Sequence, residues 1–373
     1  MPDFSQHPLQ KILDSRIAII DGAMGTTIRT YGMTESDIRG DRFANATKDL
    51  KNNGDLFSLT QPRMIGDIHR RFLEAGADIL ETNTFGATSI TQSEFFVDDP
   101  REHGGRKDPA FYQKIIEDQF LNDLAWEINE QSARQCREWG DRIANQTGRQ
   151  RFVAGAIGPL TVSLSNSPDA DDAGFRVVTF DQVKSAYAHE VRALIAGGVD
   201  LLLVETIFDS LNAKAALVAI REVFDEQGLT GAKELPIMIS AAVGRGGETL
   251  ISAQTTEAFW NAVQHARPFA VGLNCSLGPD LMYPFLSELS EKADVNISCY
   301  PNAGLPNPLS PTGFDLGPPD MARYLSTFAQ AGLINIAGGC CGNTPEHIAA
   351  IAQALEGQAP RKIPPNEPAE AAA

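Results

Sequence analysis

Eight short apolar runs recur along the chain, at 17–20, 77–80, 152–157, 199–204, 236–240, 271–275, 295–298 and 333–337. Stretches with apolar residues at helical spacing separate most of them, and this alternation limits the fold more than any other feature. The runs are continuous rather than alternating, as in strands buried on both faces. Helical spacing is read over 62–75, 111–139, 212–226, 255–265, 280–292 and 320–331. Two more helices are read, one from 180 to the glycine pair 197–198 and one from 344 onward. In the last, Thr344-Pro345 supplies an N-cap and a proline at the first helical position. Eight βα units in succession predict a single-domain α/β chain, a (β/α)8 or TIM barrel, over residues 1–360. The Pro- and Ala-rich residues 361–373 predict a disordered tail. Three stretches sit outside the alternation. Residues 34–61 predict a polar loop layered over one face, 98–109 a charged surface insertion, and 163–176 a second polar loop.

In such a barrel, chemistry sits at the C-terminal ends of the strands. The residues closing the runs are Asp21, Glu81, Asn83, Glu205, Cys275, Asn302, Cys340 and Cys341. Cys340 and Cys341 are adjacent and lie between Gly338-Gly339 and Gly342. Bonding to each other would strain the disulfide, but two thiolates can point at one metal where glycines let the backbone turn. Cys275 ends the sixth run, so the three converge across the barrel mouth. A single buried cysteine is more often packing than ligand. Three at strand ends, two of them between glycines, predict a Zn²⁺ site with an open fourth position. Cys299 and Cys136 are read as packing.

Three thiolates weaken zinc as an activator of water. They suit it to hold a substrate thiol as thiolate near neutral pH, well below the free thiol's value of about 8.5. Asp21 and Glu205 are placed to grip the ammonium of an amino-acid thiol; the plainer role for Asp21 is ordering the glycine turn that follows it. Asn302, or water, is expected in the fourth position before substrate arrives. Asp67-Ile68-His69 begins like a cobalamin-binding loop, but Phe72 stands where glycine is needed and the stretch is an amphipathic helix. His347 is read as helix surface or as support behind the site.

The formal charge of −17 argues against nucleic acid or an anionic membrane as partner. There is no apolar run of membrane-spanning length, and residues 1–11 hold no secretory core. Five cysteines without a framework spacing point to a reducing cytoplasm.

With these residues in view, the chain resembles the homocysteine S-methyltransferase family, and within it the homocysteine-binding module of cobalamin-dependent methionine synthase. The matching segments are Asp21-Gly22-Ala23-Met24-Gly25-Thr26, Gly76 to Phe85, Glu205-Thr206-Ile207-Phe208-Asp209, Gly272-Leu273-Asn274-Cys275, Pro301-Asn302-Ala303-Gly304-Leu305-Pro306 and Gly338-Gly339-Cys340-Cys341-Gly342. The resemblance covers roughly residues 10–360. It implies a zinc-bearing barrel that methylates homocysteine to methionine, with Cys275, Cys340 and Cys341 as ligands. It places Asp21 and Glu205 at the amino acid; Gly22, Ala23, Asn83 and Asn302, in the segments that follow the strands, are read as further substrate-binding residues. Methionine synthase continues into folate, cobalamin and activation modules, whereas this chain stops at Ala373. The methyl group is therefore expected from methylcobalamin on a separate cobalamin- and folate-binding protein, with the 98–118 insertion as a docking element. The alternatives are a small donor, betaine or S-methylmethionine, and a zinc-bearing scaffold that would not bind homocysteine.

Overall fold

Each apolar run contributes a strand, and side chains buried on both faces account for the lack of alternation. In order they are β1 (Ala18–Ile19), β2 (Ile79–Glu81), β3 (Phe152–Ile157), β4 (Leu201–Ile207), β5 (Ile237–Ala241), β6 (Ala270–Asn274), β7 (Asn296–Tyr300) and β8 (Ile336–Ala337). All pairings are parallel, and β1 lies beside β8 with Ala18 opposite Ile336. The sheet closes at β1 and β2. Ile20 bridges Ile79, the Asp21 N–H donates to the Ile79 carbonyl at 3.0 Å, and the Asp78 N–H donates to Ile19 at 2.7 Å. The structure, a computed structural model, describes residues 4–364, and over them the chain is a (β/α)8 TIM barrel. Among the described residues no helix is long and apolar enough to cross a membrane.

One set of strand side chains fills the barrel: Ile20, Ile79, Phe152, Leu201, Leu203, Met238, Tyr300 and Ile336, plugged below by Leu9 and Leu13 from the helix Pro8–Leu13. The other set, with Leu80, Val153, Leu202, Val271 and Ile297, packs against the surrounding helices. Each such side chain stabilises the fold by about 1.5–3 kcal/mol when fully buried.

Four expectations need correction. Residues 34–61 are not a loop but a folded cover containing the helices Glu35–Arg39 and Phe57–Thr60. It is held by bonds that periodicity does not reveal. Glu35 accepts from Arg39 and from the Leu50 N–H, and Arg39 donates to the Ala46 and Lys48 carbonyls. The helix read over 111–139 is two, Pro109–Glu117 and Gln119–Thr147, because Asp118 ends the first and caps the second through the Leu121 N–H at 2.9 Å. An unread helix, Ser89–Phe96, is capped by Thr88. Finally, Arg361 was expected in a disordered tail. It is buried beneath the barrel, bonded to Ser290 and to the Ala293 and Val295 carbonyls. The rest of that segment, from 365 on, lies outside the described residues.

Candidate metal and substrate site

β6 ends on Asn274, and the next two residues, Cys275 and Ser276, take left-handed conformations with φ of 56° and 57°. That turn lifts the Cys275 thiol into the mouth rather than into the wall. After β8 the chain is pressed onto β1: a Cβ on Gly338 would lie 2.5 Å from the Ile20 carbonyl oxygen, so only glycine fits. Gly342, with φ of 83°, turns the chain back and donates its N–H to Thr26 Oγ1 at 3.0 Å. The loop after β7 is laced between the two cysteine turns. Asn302 N–H donates to the Leu277 carbonyl at 3.0 Å, Cys340 N–H to Pro301 at 2.8 Å, and Ala303 N–H to Cys341 at 2.9 Å.

The backbone thus brings Cys275 to an adjacent pair of thiols more than sixty residues further along the sequence. The Cys275 and Cys341 sulfurs are 3.9 Å apart, and all three Sγ atoms lie within 4.8 Å of one another. Thiolates around tetrahedral zinc, at about 2.3 Å, have mutual separations of about 3.8 Å. The donor set therefore fits such an ion with little movement. No other such group of histidine, cysteine or acidic side chains occurs among the described residues. Hydrogen bonds from Cys275 and Cys340 lower Cys341 to about 3. Cys275, although lowered by Cys340, is pushed up to about 12 by Cys341 and by burial. Cys340 is raised well above the usual thiol range by its two thiol neighbours.

Beside the thiols stand three carboxylates. Burial raises Asp21 well above the ordinary range, against the Glu81 N–H, which donates to its Oδ1 at 3.1 Å; Glu205 raises it further. Burial and then the charge of Glu205 raise Glu81. Glu205 is pushed up to about 8 by burial and by Cys341. Among the described residues no lysine or arginine offsets any of the three. Three buried polar atoms here also lack a partner: Asn302 Oδ1, Asn343 Oδ1 in the cysteine turn, and the Tyr300 hydroxyl, beside Ser240 and near Glu205 and Glu81. A mouth that crowds acidic groups together with no cation of their own, beside unpaired amide oxygens, is built to receive a cation, which would favour their ionised form.

The structure brings Asp21, Glu205, Asn302 and the three cysteines to one mouth. Gly22 packs against the Gly339 carbonyl, where a Cβ would meet the oxygen at 3.2 Å. Ala23 precedes the helix Met24–Thr30 without a side-chain cap, so the first N–H groups there are open. Asn83 is engaged elsewhere: its Nδ2 donates to the Gly54 carbonyl and Ser58 Oγ, each at 3.0 Å, pinning the 34–61 cover to the end of β2. Cys299 packs on the Met282 sulfur and Cys136 on His69, as expected for packing roles. His347 is buried rather than on the surface. It accepts from the Thr344 N–H and faces the Leu316 carbonyl, fixing the cap of the last helix. Glu81 was legible as a strand-end carboxylate but not as a member of the site. Tyr300 carried no signal apart from its place at the end of a run.

A profile of the family described as homocysteine S-methyltransferase matches residues 18–355. Among solved structures, the metallated form of the homocysteine methyltransferase MmuM from Escherichia coli superposes with a TM-score of 0.66 at 20% identity, covering 93% of this chain and 99% of that one. Its oxidized form gives 0.65 at 18% identity, covering 94% and 99%. At such identities the likeness is one of fold.

Proposed function

The chain belongs to the homocysteine S-methyltransferase family, and from that premise we propose that it is a zinc-dependent enzyme that methylates homocysteine to methionine in the cytoplasm. We propose further that it is the homocysteine-activating module of a split cobalamin-dependent methionine synthase. The observation that carries the reading is the convergence of three thiols on carboxylates that have no cation of their own.

Cys275, Cys340 and Cys341 would hold the zinc, which supplies a soft Lewis acid that favours the thiolate form of homocysteine. Asp21 and Glu205 receive the substrate ammonium, whose charge offsets the mutual repulsion and desolvation that raise them. The open N–H groups around Gly22 and Ala23 face the substrate carboxylate. Asn302 Oδ1, unpaired in the structure, would be available, as water would, to complete the metal's donor set in the absence of substrate. In the transfer, the homocysteine thiol has lost its proton, its sulfur forms a bond to the methyl carbon, and the donor leaves with the electrons of the broken bond.

Two features support a protein donor. Large apolar side chains are exposed on the mouth loops: Phe85 after β2, Leu250 after β5, Leu305 and Leu309 after β7. The 98–118 insertion also faces the 163–177 loop across a groove of about 700 Å³, stapled by Arg106 to Asp169 at 3.0 Å. One observation favours the second reading, a small betaine or S-methylmethionine donor: MmuM, itself described as a homocysteine methyltransferase, is matched over 99% of its chain by this single barrel. The test offers the zinc-loaded enzyme a methylated corrinoid protein, free methylcobalamin, betaine and S-methylmethionine in turn. Turnover fastest with the corrinoid protein is expected. Turnover with a small donor and none with a corrinoid selects the second reading.

A further inference from the structure

Asn274 is fully buried at the end of β6, next to Cys275, and its amide reaches past β5 to β4. Its Oδ1 accepts from the Thr206 N–H at 3.1 Å and from the Ser240 hydroxyl at 2.6 Å, and its Nδ2 donates to Thr206 Oγ1 at 2.8 Å. The amide orientation is fixed, because the Thr206 N–H can only donate. Thr206 needs the clamp. It is β-branched yet has φ of 53°, and the β4–β5 register shifts between Val204 and Ile207. Such an irregularity re-aims the side chains it contains, and Glu205 is one of them. The side chain that holds the Glu205–Thr206 bulge therefore belongs to the residue that launches the left-handed Cys275 turn.

We propose that Asn274 is a positioning residue that sets the span from the Glu205 carboxylate to the Cys275 thiolate, and so the length of amino-acid thiol the site accepts. The inference rests on the homocysteine reading above. Homocysteine and cysteine differ by one methylene, so a site of fixed span separates them, and a site whose carboxylate drifts does not. Asn274 touches neither substrate nor metal. It acts through Thr206 and through its own backbone.

The test uses the cobalt-substituted enzyme, titrated with homocysteine and with cysteine, and reads the sulfur-to-cobalt absorption rather than turnover. In the wild type, homocysteine is expected to bind more tightly than cysteine. In Asn274→Ala, cobalt content is retained, homocysteine affinity falls about tenfold or more, and cysteine affinity falls little, so the ratio collapses. Thr206→Val removes only the hydroxyl that receives Nδ2–H. It opens no cavity and is expected to move the ratio in the same direction by about threefold. Asn274→Ala combined with Thr206→Gly is expected to recover part of the lost ratio, since glycine adopts positive φ without a clamp; a merely destabilised barrel would not recover. A wild-type homocysteine-to-cysteine ratio in both Asn274→Ala and Thr206→Val overturns the inference alone. A wild type whose spectrum ignores homocysteine overturns the homocysteine reading, and the inference with it.

Discussion

At the floor of the barrel Asp78 is fully buried, and three arginines meet it: Arg16 at 2.7 Å, Arg149 at 3.1 Å and Arg151 at 3.9 Å. At the mouth Asp21 and Glu205 are about as deeply buried and meet none. Arg361 at the floor gives its guanidinium to Ser290 and two carbonyls; unpaired polar atoms occur at both ends, Arg151 Nε and Asn296 Oδ1 at the floor and Asn302 Oδ1 near the mouth. Left-handed Thr206, Cys275 and Ser276 also cluster at the mouth. A buried charge without a partner is costly, and so is left-handed backbone in a β-branched residue. The floor therefore neutralises its buried carboxylate within the chain, and the mouth leaves its buried carboxyls for a ligand, the division expected of a TIM barrel.

Four substitutions break or sharpen that contrast. The largest effect belongs to the thiols. Replacing Cys340 and Cys341 by serine should take zinc from about one per chain to none and abolish methyl transfer, measured by elemental analysis and methionine formation. The thermal midpoint should move little, because the core is large enough without the metal. Arg361→Ala should do the opposite. Leaving its buried partners unpaired should cost about 3 kcal/mol in denaturant unfolding, with zinc content and homocysteine affinity unchanged. Glu205→Gln should weaken homocysteine binding by about 10- to 150-fold in a calorimetric titration, the worth of one charge-assisted hydrogen bond, and leave zinc in place.

The smallest effect is a pH slope. Asp55 belongs to the 34–61 cover and points into the protein, where burial raises it to about 7 against the hydrogen bond it accepts from the Gly86 N–H. A carboxyl whose folded value is raised contributes stability that is fully present below its unfolded value. That contribution is lost as pH rises through the folded value. Stability should therefore fall between about pH 4 and 7, and Asp55→Asn should flatten part of that fall. Buried Glu190, raised in the same direction by burial and by Asp55, would leave a residual slope. Denaturant midpoints across that range would show it.

Much of this contrast was legible before the fold was known. The eight strands announced themselves because both of their faces are apolar, and the strand ends then singled out Asp21, Glu205 and the three cysteines. What stayed hidden depends on partners distant in sequence. Asn274 finds Ser240 and Thr206 34 and 68 residues away, and no local pattern marks that network. Arg361 sits in a Pro-rich segment whose composition reads as tail, yet its guanidinium finds carbonyls at the barrel floor. Asp118 broke a helical pattern because it caps as well as it continues. Residues 34–61 lack periodicity because Arg39 and Glu35 hold them through backbone bonds. Glu81 joined the site only when closure of β1 on β2 brought it beside Asp21.

The central claim is that the mouth binds homocysteine by its thiol at a metal held by three cysteines. X-ray absorption at the zinc edge, recorded before and after homocysteine is added, tests it most directly. The account predicts about three sulfur neighbours and one lighter atom before, and about four sulfurs after, with the lighter neighbour altered in Asn302→Ala. A sulfur count that stays at three with saturating homocysteine would contradict it.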